Sequence, residues 1–508
     1  MKKILYFLFH RSVLIAVSLL AQIITLLVMI VAFSEHMQAF YWCCILLSIL
    51  AALLIVSSRM EPGYKIAWLI LILPFPVLGG VFYLLVGGGT IPRRIKKRMY
   101  GIWEKSLDAL KDDFKSEDLL PLGGDAAGQA NYLEQHAGCP AYTNTETEYF
   151  PLGDDAFPRM MEELEKAEHY IFLEYFIIHD GLFWDSILEV LKRKAAQGVD
   201  VRLLYDDFGC MFTLPKDYDK QMEACGIKCQ VFNRFVPVVS IRLNNRDHRK
   251  FLIVDGKVGF TGGVNLADEY INVKERFGHW KDSMILLEGD AVWSMTVMFL
   301  TMWDHCSGQD EDFDQFRPPV APVRPWTGYV QPYTDTPLDH EAVSQTVYLN
   351  MIAKAKKYIY ITTPYLIIDV ATNTALCNAA KSGVDVKIIT PHIPDKRCVF
   401  EVTRAHYPPL MDAGVQIYEY SPGFIHAKNF VVDDRFATVG TVNLDYRSLF
   451  LHFEDGVWLC EAPCIRDIRE DFEKTLAQSE YVNPHRYRRQ NLLQRLYRSI
   501  LRVFAPLM

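Results

Sequence analysis

Apolar positions gather at the front of the chain in three long runs, Val13–Phe33, Ala39–Val56 and Ile66–Val86. Each is close to the ~20 residues a helix needs to cross a hydrocarbon layer, so the pattern predicts membrane-spanning helices within residues 1–90. A cleaved leader fits the first run poorly, because the run is long and no small-residue cleavage site separates it from the second. The third run carries Pro74, Pro76, Gly79 and Gly80 in its middle. Proline removes a backbone donor there, which leaves a kinked span and a re-entrant hairpin both open. Beyond residue 141 the pattern changes. Short β-rich runs alternate with amphipathic helical stretches, the signature of an α/β layered fold.

Charge placement bears on orientation. Lys2, Lys3 and Arg11 precede the first run, Arg59 and Lys65 lie before the third, and Arg93, Arg94, Lys96, Lys97 and Arg98 follow it. Cationic loops favour the cytoplasmic side, and the densest cluster puts everything after Gly89 there. Three full spans would then leave the basic N-terminus outside, a conflict that a re-entrant third segment removes. Residues 91–141 read as a basic juxtamembrane segment and a loose, glycine-containing connector.

Comparing the rest of the chain with itself shows a duplication. His169-Tyr170-Ile171-Phe172-Leu173 resembles Lys357-Tyr358-Ile359-Tyr360-Ile361, and Gly198-Val199-Asp200-Val201 matches Gly383-Val384-Asp385-Val386. A third pair, His248-Arg249-Lys250-Phe251-Leu252-Ile253-Val254-Asp255 and His426-Ala427-Lys428-Asn429-Phe430-Val431-Val432-Asp433, falls in the same order. Three matches in order imply two tandem domains, residues 142–320 and 330–484, with the proline-rich Pro318–Pro322 between them. Residues 485–508 close the chain. Leu493, Leu496, Tyr497, Ile500, Leu501 and Phe504 recur there at helical spacing among Arg488, Arg489, Arg495, Arg498 and Arg502. This is a basic amphipathic helix suited to an anionic membrane surface, or to packing on the protein's own core.

Each long repeat continues into a glycine-containing turn and an asparagine, Gly262-Gly263-Val264-Asn265 and Gly440-Thr441-Val442-Asn443. Both copies fit HxKx4Dx6GxxN. Residues two apart on a strand face the same side, so each imidazole and ammonium point together, while the aspartate closes the strand at a turn. Such groups suit phosphodiester chemistry. Lysine and asparagine stabilise charge on phosphate oxygens, one histidine can attack phosphorus, and the other can move protons on and off the departing and arriving oxygens. One copy cannot supply both histidines, but two copies facing each other can. The candidate catalytic set is His248, Lys250, Asp255, His426, Lys428 and Asp433, with Asn265 and Asn443 as phosphate ligands. No metal-ligand cluster is evident and no cofactor is expected.

Composition narrows the partners. The 508 residues are 50% hydrophobic with a formal net charge of −8, which disfavours a general nucleic-acid binder. The 11 cysteines show no CxxC pair and read as reduced, mostly buried thiols. His179, His279, His340 and His452 lack the HxK context and read as surface or satisfied histidines. Asp206-Asp207 reads as a turn after a buried strand, and Lys192-Arg193-Lys194 as one solvated helix turn.

Both copies resemble the HKD motif of the phospholipase D superfamily, and the resemblance spans about Tyr142 to Tyr481. The finer similarity is to bacterial cardiolipin synthases. It is carried by Glu174–Ile178, Leu204-Tyr205-Asp206-Asp207, Thr363-Pro364-Tyr365 and Asn443–Ser448, and by Ala67–Ile70 leading to Pro76, Gly79 and Tyr83–Leu85. Gly440-Thr441 stands where Gly-Ser or Gly-Gly is commoner, and the extra apolar run leaves the topology open. The resemblance implies two α/β/α sandwiches related by a pseudo-two-fold axis, with the site at their interface. It also implies a carboxylate against each catalytic histidine, with Asp282 the candidate in the first half and Glu454 in the second; Glu174 is a weaker one. The implied activity joins two phosphatidylglycerol molecules into cardiolipin and glycerol through a phosphatidyl-His248 intermediate, with His426 as acid and base. The implied setting is a bacterial cell membrane rich in anionic lipids, with room for a homo-oligomer. A phospholipase D-type hydrolase and an inactive membrane-binding scaffold are the alternatives.

Overall fold

The structure is a computed structural model. It describes residues 93–508 except 235–243, 320, 321, 323, 324, 326, 327, 340, 489, 490 and 508. Before residue 93 it describes 38–58, 60–73 and the single positions 20, 24, 27, 28, 31, 32 and 83. Most of the first apolar run, the Pro74–Gly80 interruption, Arg11, Arg59, His340 and Arg489 therefore lie outside the described residues, as do parts of the Pro318–Pro322 linker. Among the described residues no helix is long and apolar enough to cross a membrane. Gln38–Ser57 is helical, with Trp42, Leu46, Leu50, Leu53 and Leu54 exposed along it.

The first catalytic half contributes strands β1 (Thr145–Phe150), β2 (Tyr170–Tyr175), β3 (Asp200–Asp206), β4 (Lys228–Phe232), β5 (Phe251–Val254), β6 (Val258–Gly262), β7 (His279–Lys281) and β8 (Met284–Gly289). The second contributes β9 (Tyr329–Asp335), β10 (Tyr358–Thr362), β11 (Asp385–Pro391), β12 (Gln416–Tyr420), β13 (Gly423–Ile425), β14 (Asn429–Val432), β15 (Phe436–Gly440), β16 (Glu454–Cys460) and β17 (Ser479–Tyr481). Two mixed sheets result, ordered β1-β8-β6-β5-β2-β3-β4 and β17-β12-β11-β10-β14-β15-β16-β9. The repeat seen in the sequence is thus a repeat of sheets. β2 lies between parallel β3 and antiparallel β5, just as β10 lies between parallel β11 and antiparallel β14.

Strand alternation explains the layers. Ile171, Leu173 and Tyr175 of β2 face a core shared with helices Gly153–Lys166 and Leu182–Ala196. Tyr170 and Phe172 face the opposite way, into a second core that also holds Ile359, Ile361 and Phe430 of the other half. Each β2 face is buried, so the strand reads as an apolar run rather than an alternation. Because one core runs through both halves, the active-site groups of one are held rigidly against those of the other.

The described part of the 91–141 segment, residues 93–141, is not a loose connector. Arg93–Leu110 and Gly124–Ala137 are helices, and Ala126, Ala130 and Leu133, at helical spacing, are completely buried in the shared core. The glycines suggested a loop, but Gly123 and Gly138 stand at the two ends of the second helix, Gly138 in the left-handed conformation that closes it. Lys194 also departs from its solvated reading. Its ammonium donates to the carbonyls of Glu165 and Ala167, capping the end of the preceding helix.

Candidate active site

Both motif histidines sit just ahead of a central strand, where the chain crosses to the other half. His248 donates its backbone N–H to Phe453 O at 2.9 Å, and Phe453 returns one to Arg246 O at 2.8 Å. His426 N–H reaches Lys281 O at 2.7 Å, beside the parallel pairing of β7 with β13. Each half therefore borrows a short backbone ladder from the other, and that exchange fixes both imidazoles.

The carboxylates are exchanged as well. His248 Nδ1 lies 2.8 Å from Glu454 Oε2, and His426 Nδ1 lies 2.6 Å from Asp282 Oδ2. Asp282 and Glu454 were expected against a histidine, and each meets the one from the opposite half. All four side chains are buried. Burial alone would raise Asp282, but the His426 imidazole and Lys428 ammonium hold it below the usual carboxylate range. It is thus an anion that accepts Nδ1–H, which leaves Nε2 of His426 with its lone pair free; a neutral imidazole has only one N–H. Lys428 approaches the same Nδ1 at 2.8 Å and donates to the His426 carbonyl. Lys250 donates to His248 O at 2.6 Å.

Burial together with the two lysines keeps the imidazoles neutral. His248 is pushed far below its ordinary range, first by burial and then by Lys250 and Lys428, and His426 falls to about 4 by burial and Lys428. Burial lowers Lys250 to about 8 and Lys428 to about 7. Two ammonium groups and two imidazoles thus converge in one buried place, beside the Asp282 and Glu454 carboxylates. A phosphodiester placed between the imidazoles would raise all four proton affinities.

Asp255 and Asp433 do not belong to this centre. Asp255 has φ 51° and its carboxylate accepts the backbone N–H groups of Glu168, His169 and Tyr170 at 2.7–2.9 Å. Asp433 has φ 56° and takes those of Lys356, Lys357 and Tyr358 at 2.6–2.8 Å. Both stand at the far end of the motif strand, roughly 20 Å from the histidine at ~3.3 Å per residue. They tie that strand to the start of its neighbour, and their assignment as catalytic is corrected to a structural one. Asn265 is partly committed too. Its Oδ1 accepts Ile177 N–H at 3.0 Å and its Nδ2 donates to Tyr270 OH at 2.9 Å, leaving one amide hydrogen. Asn443 is buried, and its Oδ1 has no hydrogen-bond partner among the described residues.

The structure adds residues that the sequence reading set aside. The His452 ring centre is 5.7 Å from that of His248, and its Nδ1 is 3.5 Å from Glu454 Oε1. Ligand atoms of His248, His452 and Glu454 lie within 4.8 Å of one another, close enough to hold a metal ion. The only sequence signal was the two-residue spacing of His452 and Glu454. Thr441 donates to Glu454 Oε2 at 2.5 Å, whereas at Gly263, its counterpart, a Cβ would lie 1.9 Å from Asp282 Oδ1. Glu174 is wholly buried against Arg249, which also meets Asp247 at 3.2 Å. It lies behind the motif rather than against a histidine. His279 is satisfied by Tyr420 OH at 2.9 Å, as expected. Asp206 caps the turn after β3 through Phe208 and Gly209 N–H.

The comparisons agree with this geometry. The family described as "Cardiolipin synthase, PLD-like domain" matches residues 160–288 and again 348–476, and "Phospholipase D-nuclease N-terminal" matches 46–88. The chain is 45% identical to a protein of Streptococcus mutans, covering 90% of this chain and 99% of that one. It is 34% identical to cardiolipin synthase 2 of Bacillus anthracis, covering 89% and 88%, and 33% identical to cardiolipin synthase of Geobacillus kaustophilus, covering 91% and 92%. Phosphatidylserine synthase of Haemophilus influenzae has the same fold, with a TM-score of 0.57 at 15% identity over 75% of this chain and 98% of that one. The chain belongs to the cardiolipin synthase family of phospholipase D-like proteins.

Proposed function

We propose that this protein is a membrane-bound cardiolipin synthase that moves a phosphatidyl group from one phosphatidylglycerol to another and releases glycerol. The observation that carries the reading is the pair of buried imidazoles, each oriented by a carboxylate from the opposite half and each with a lysine at its own backbone carbonyl. His248 Nε2 attacks phosphorus while Glu454 stabilises the cation forming on the ring. Lys250 and Lys428 neutralise the phosphoryl oxygens, and Asn265 and Asn443 offer amide hydrogens to them. His426 protonates the departing glycerol oxygen, for which the bound phosphodiester anion raises its proton affinity. It then takes the hydroxyl proton of a second phosphatidylglycerol, which displaces His248. Two in-line steps give retention at phosphorus.

Residues 1–90 serve as the membrane anchor in this reading, with the catalytic halves in the cytoplasm. Support comes from the apolar runs and from Tyr64 of helix Pro62–Ile72. Its hydroxyl donates to Tyr446 O at 3.2 Å, three residues past Asn443, so the membrane-proximal segment packs beside the second motif. Incubating the purified protein in phosphatidylglycerol bilayers and separating the lipids tests the activity. Cardiolipin with equimolar glycerol is expected, and phosphatidic acid alone would mean that water is the acceptor.

A further inference from the structure

The C-terminal helix Leu492–Phe504 divides its side chains sharply. Leu492, Leu493, Leu496, Tyr497 and Ile500 are exposed on one face, Leu492 by 77%. Arg495, Arg498 and Arg502, spaced three and four apart, lie on another and line a groove of about 370 Å³ closed by Arg404, Pro408 and Tyr487. The inner arginines are compensated. Arg498 is held by Glu401 at 2.6 Å and Tyr487 OH at 2.8 Å, and Arg404 by Glu419 at 2.9 and 2.6 Å. Arg495 and Arg502 are exposed and have no carboxylate partner among the described residues. The groove thus carries two arginines in excess of its acids. At its inner end Leu501 and Ala505 pack with Tyr64 of the membrane-proximal helix and with Tyr446.

A concave surface with uncompensated positive charge is matched by a phosphate, whose anionic oxygens pair with the cations. An exposed apolar stripe on the same helix, joined to the membrane-proximal segment, is matched by acyl chains. We propose that this groove binds the phosphate headgroup of an anionic phospholipid, at a site separate from the catalytic histidines. The proposal rests on the membrane reading above but not on phosphatidyl transfer. A lipid bound there docks the helix at the interface and holds the second catalytic half against the bilayer that supplies its substrate.

Hydrogen exchange of residues 491–504 tests this on the full-length protein in nanodiscs. Phosphatidylserine, the anionic probe, mixed into phosphatidylcholine should slow exchange of this segment relative to phosphatidylcholine alone. R495Q/R502Q should weaken the response to phosphatidylserine about twenty-five-fold, at about fivefold per arginine. R495K/R502K, which keeps the charge, should retain most of it. Protection by inorganic phosphate in pure phosphatidylcholine would assign the groove to the free ion and overturn the lipid part. Equal exchange with and without phosphatidylserine, or equal loss in both variants, would overturn the site. Because the readout is exchange rather than turnover, failure of the proposed activity would leave this result interpretable.

Discussion

The two halves share a motif, a sheet order and a carboxylate-oriented histidine, yet they surround those histidines differently. Behind His248 lies an ionic network in which Arg249 bridges Glu174 and Asp247, while Asp455 accepts from Thr261 and from Lys250 N–H at 3.4 Å. Behind His426 the corresponding positions are neutral. Ala427 replaces Arg249, and Asn429 donates to Tyr149 OH at 2.9 Å and accepts from Ser283 at 3.0 Å. His248 has His452 as a neighbour, whereas His426 stands among Tyr270, Trp280 and Phe424, with ring centres 5.6–5.8 Å away. Duplication supplied the shared chemistry, and later divergence behind each motif gave two equal imidazoles unequal surroundings.

Removing either imidazole should erase the difference between the halves. His248→Ala and His426→Ala should each lower cardiolipin formation by several orders of magnitude, as loss of a nucleophile or its base does elsewhere. Neutralising one orienting carboxylate should separate them. Glu454→Gln and Asp282→Asn should each cost about 10²–10⁴ in turnover. With a substrate whose leaving group needs no proton, only Glu454→Gln should slow formation of the covalent adduct. Equal slowing by Asp282→Asn would contradict the crossed pairing of carboxylates and roles.

Stability should show the asymmetry next. Arg249→Ala strands the buried Glu174 carboxylate and should cost about 3–5 kcal/mol, as breaking a buried pair does. Asn429→Ala should cost about 1–3 kcal/mol from unpaired hydrogen-bond partners. Thermal unfolding would order the two, and a reversed order would place the main polar support in the second half.

Acid stability follows from His248, His426 and His452, all held by burial below the ordinary 6.5, the last two at about 4. Unfolding lets each take up a proton between those values. Stability should therefore be fullest above pH 6.5 and fall as pH drops toward 4. His452→Asn should make that fall shallower, and an unchanged slope measured by denaturant titration would contradict it. The smallest effect belongs to Thr441→Val, which removes one donor to Glu454 and should cost a few-fold in turnover.

The fold and the reacting groups were legible because they repeat. Repeated short apolar runs marked β2, β5, β10 and β14, and the two-residue spacing of each HxK put imidazole and ammonium on one side of the chain. Four things were not legible, the first three for a reason of distance. Asp255 and Asp433 look catalytic because they complete a motif, but strand geometry carries them to its far end and into backbone capping. Asp282 and Glu454 were found, but which histidine each meets is decided by β7 pairing with β13 and by Phe453 pairing with Arg246 and His248, contacts that sequence spacing does not encode. His452 looked like an ordinary histidine because only the crossing of chains brings it to His248. The helical packing of residues 124–137 was hidden by glycines that resemble a linker.

In the proposed mechanism His248 carries the phosphatidyl group and His426 moves the protons. Mass spectrometry after exposing the His426→Ala and His248→Ala proteins to a phosphatidyl substrate with a good leaving group tests it most directly. A phosphatidyl adduct on His248 is expected in the first protein and none in the second; an adduct on His426 in the second would reverse the roles.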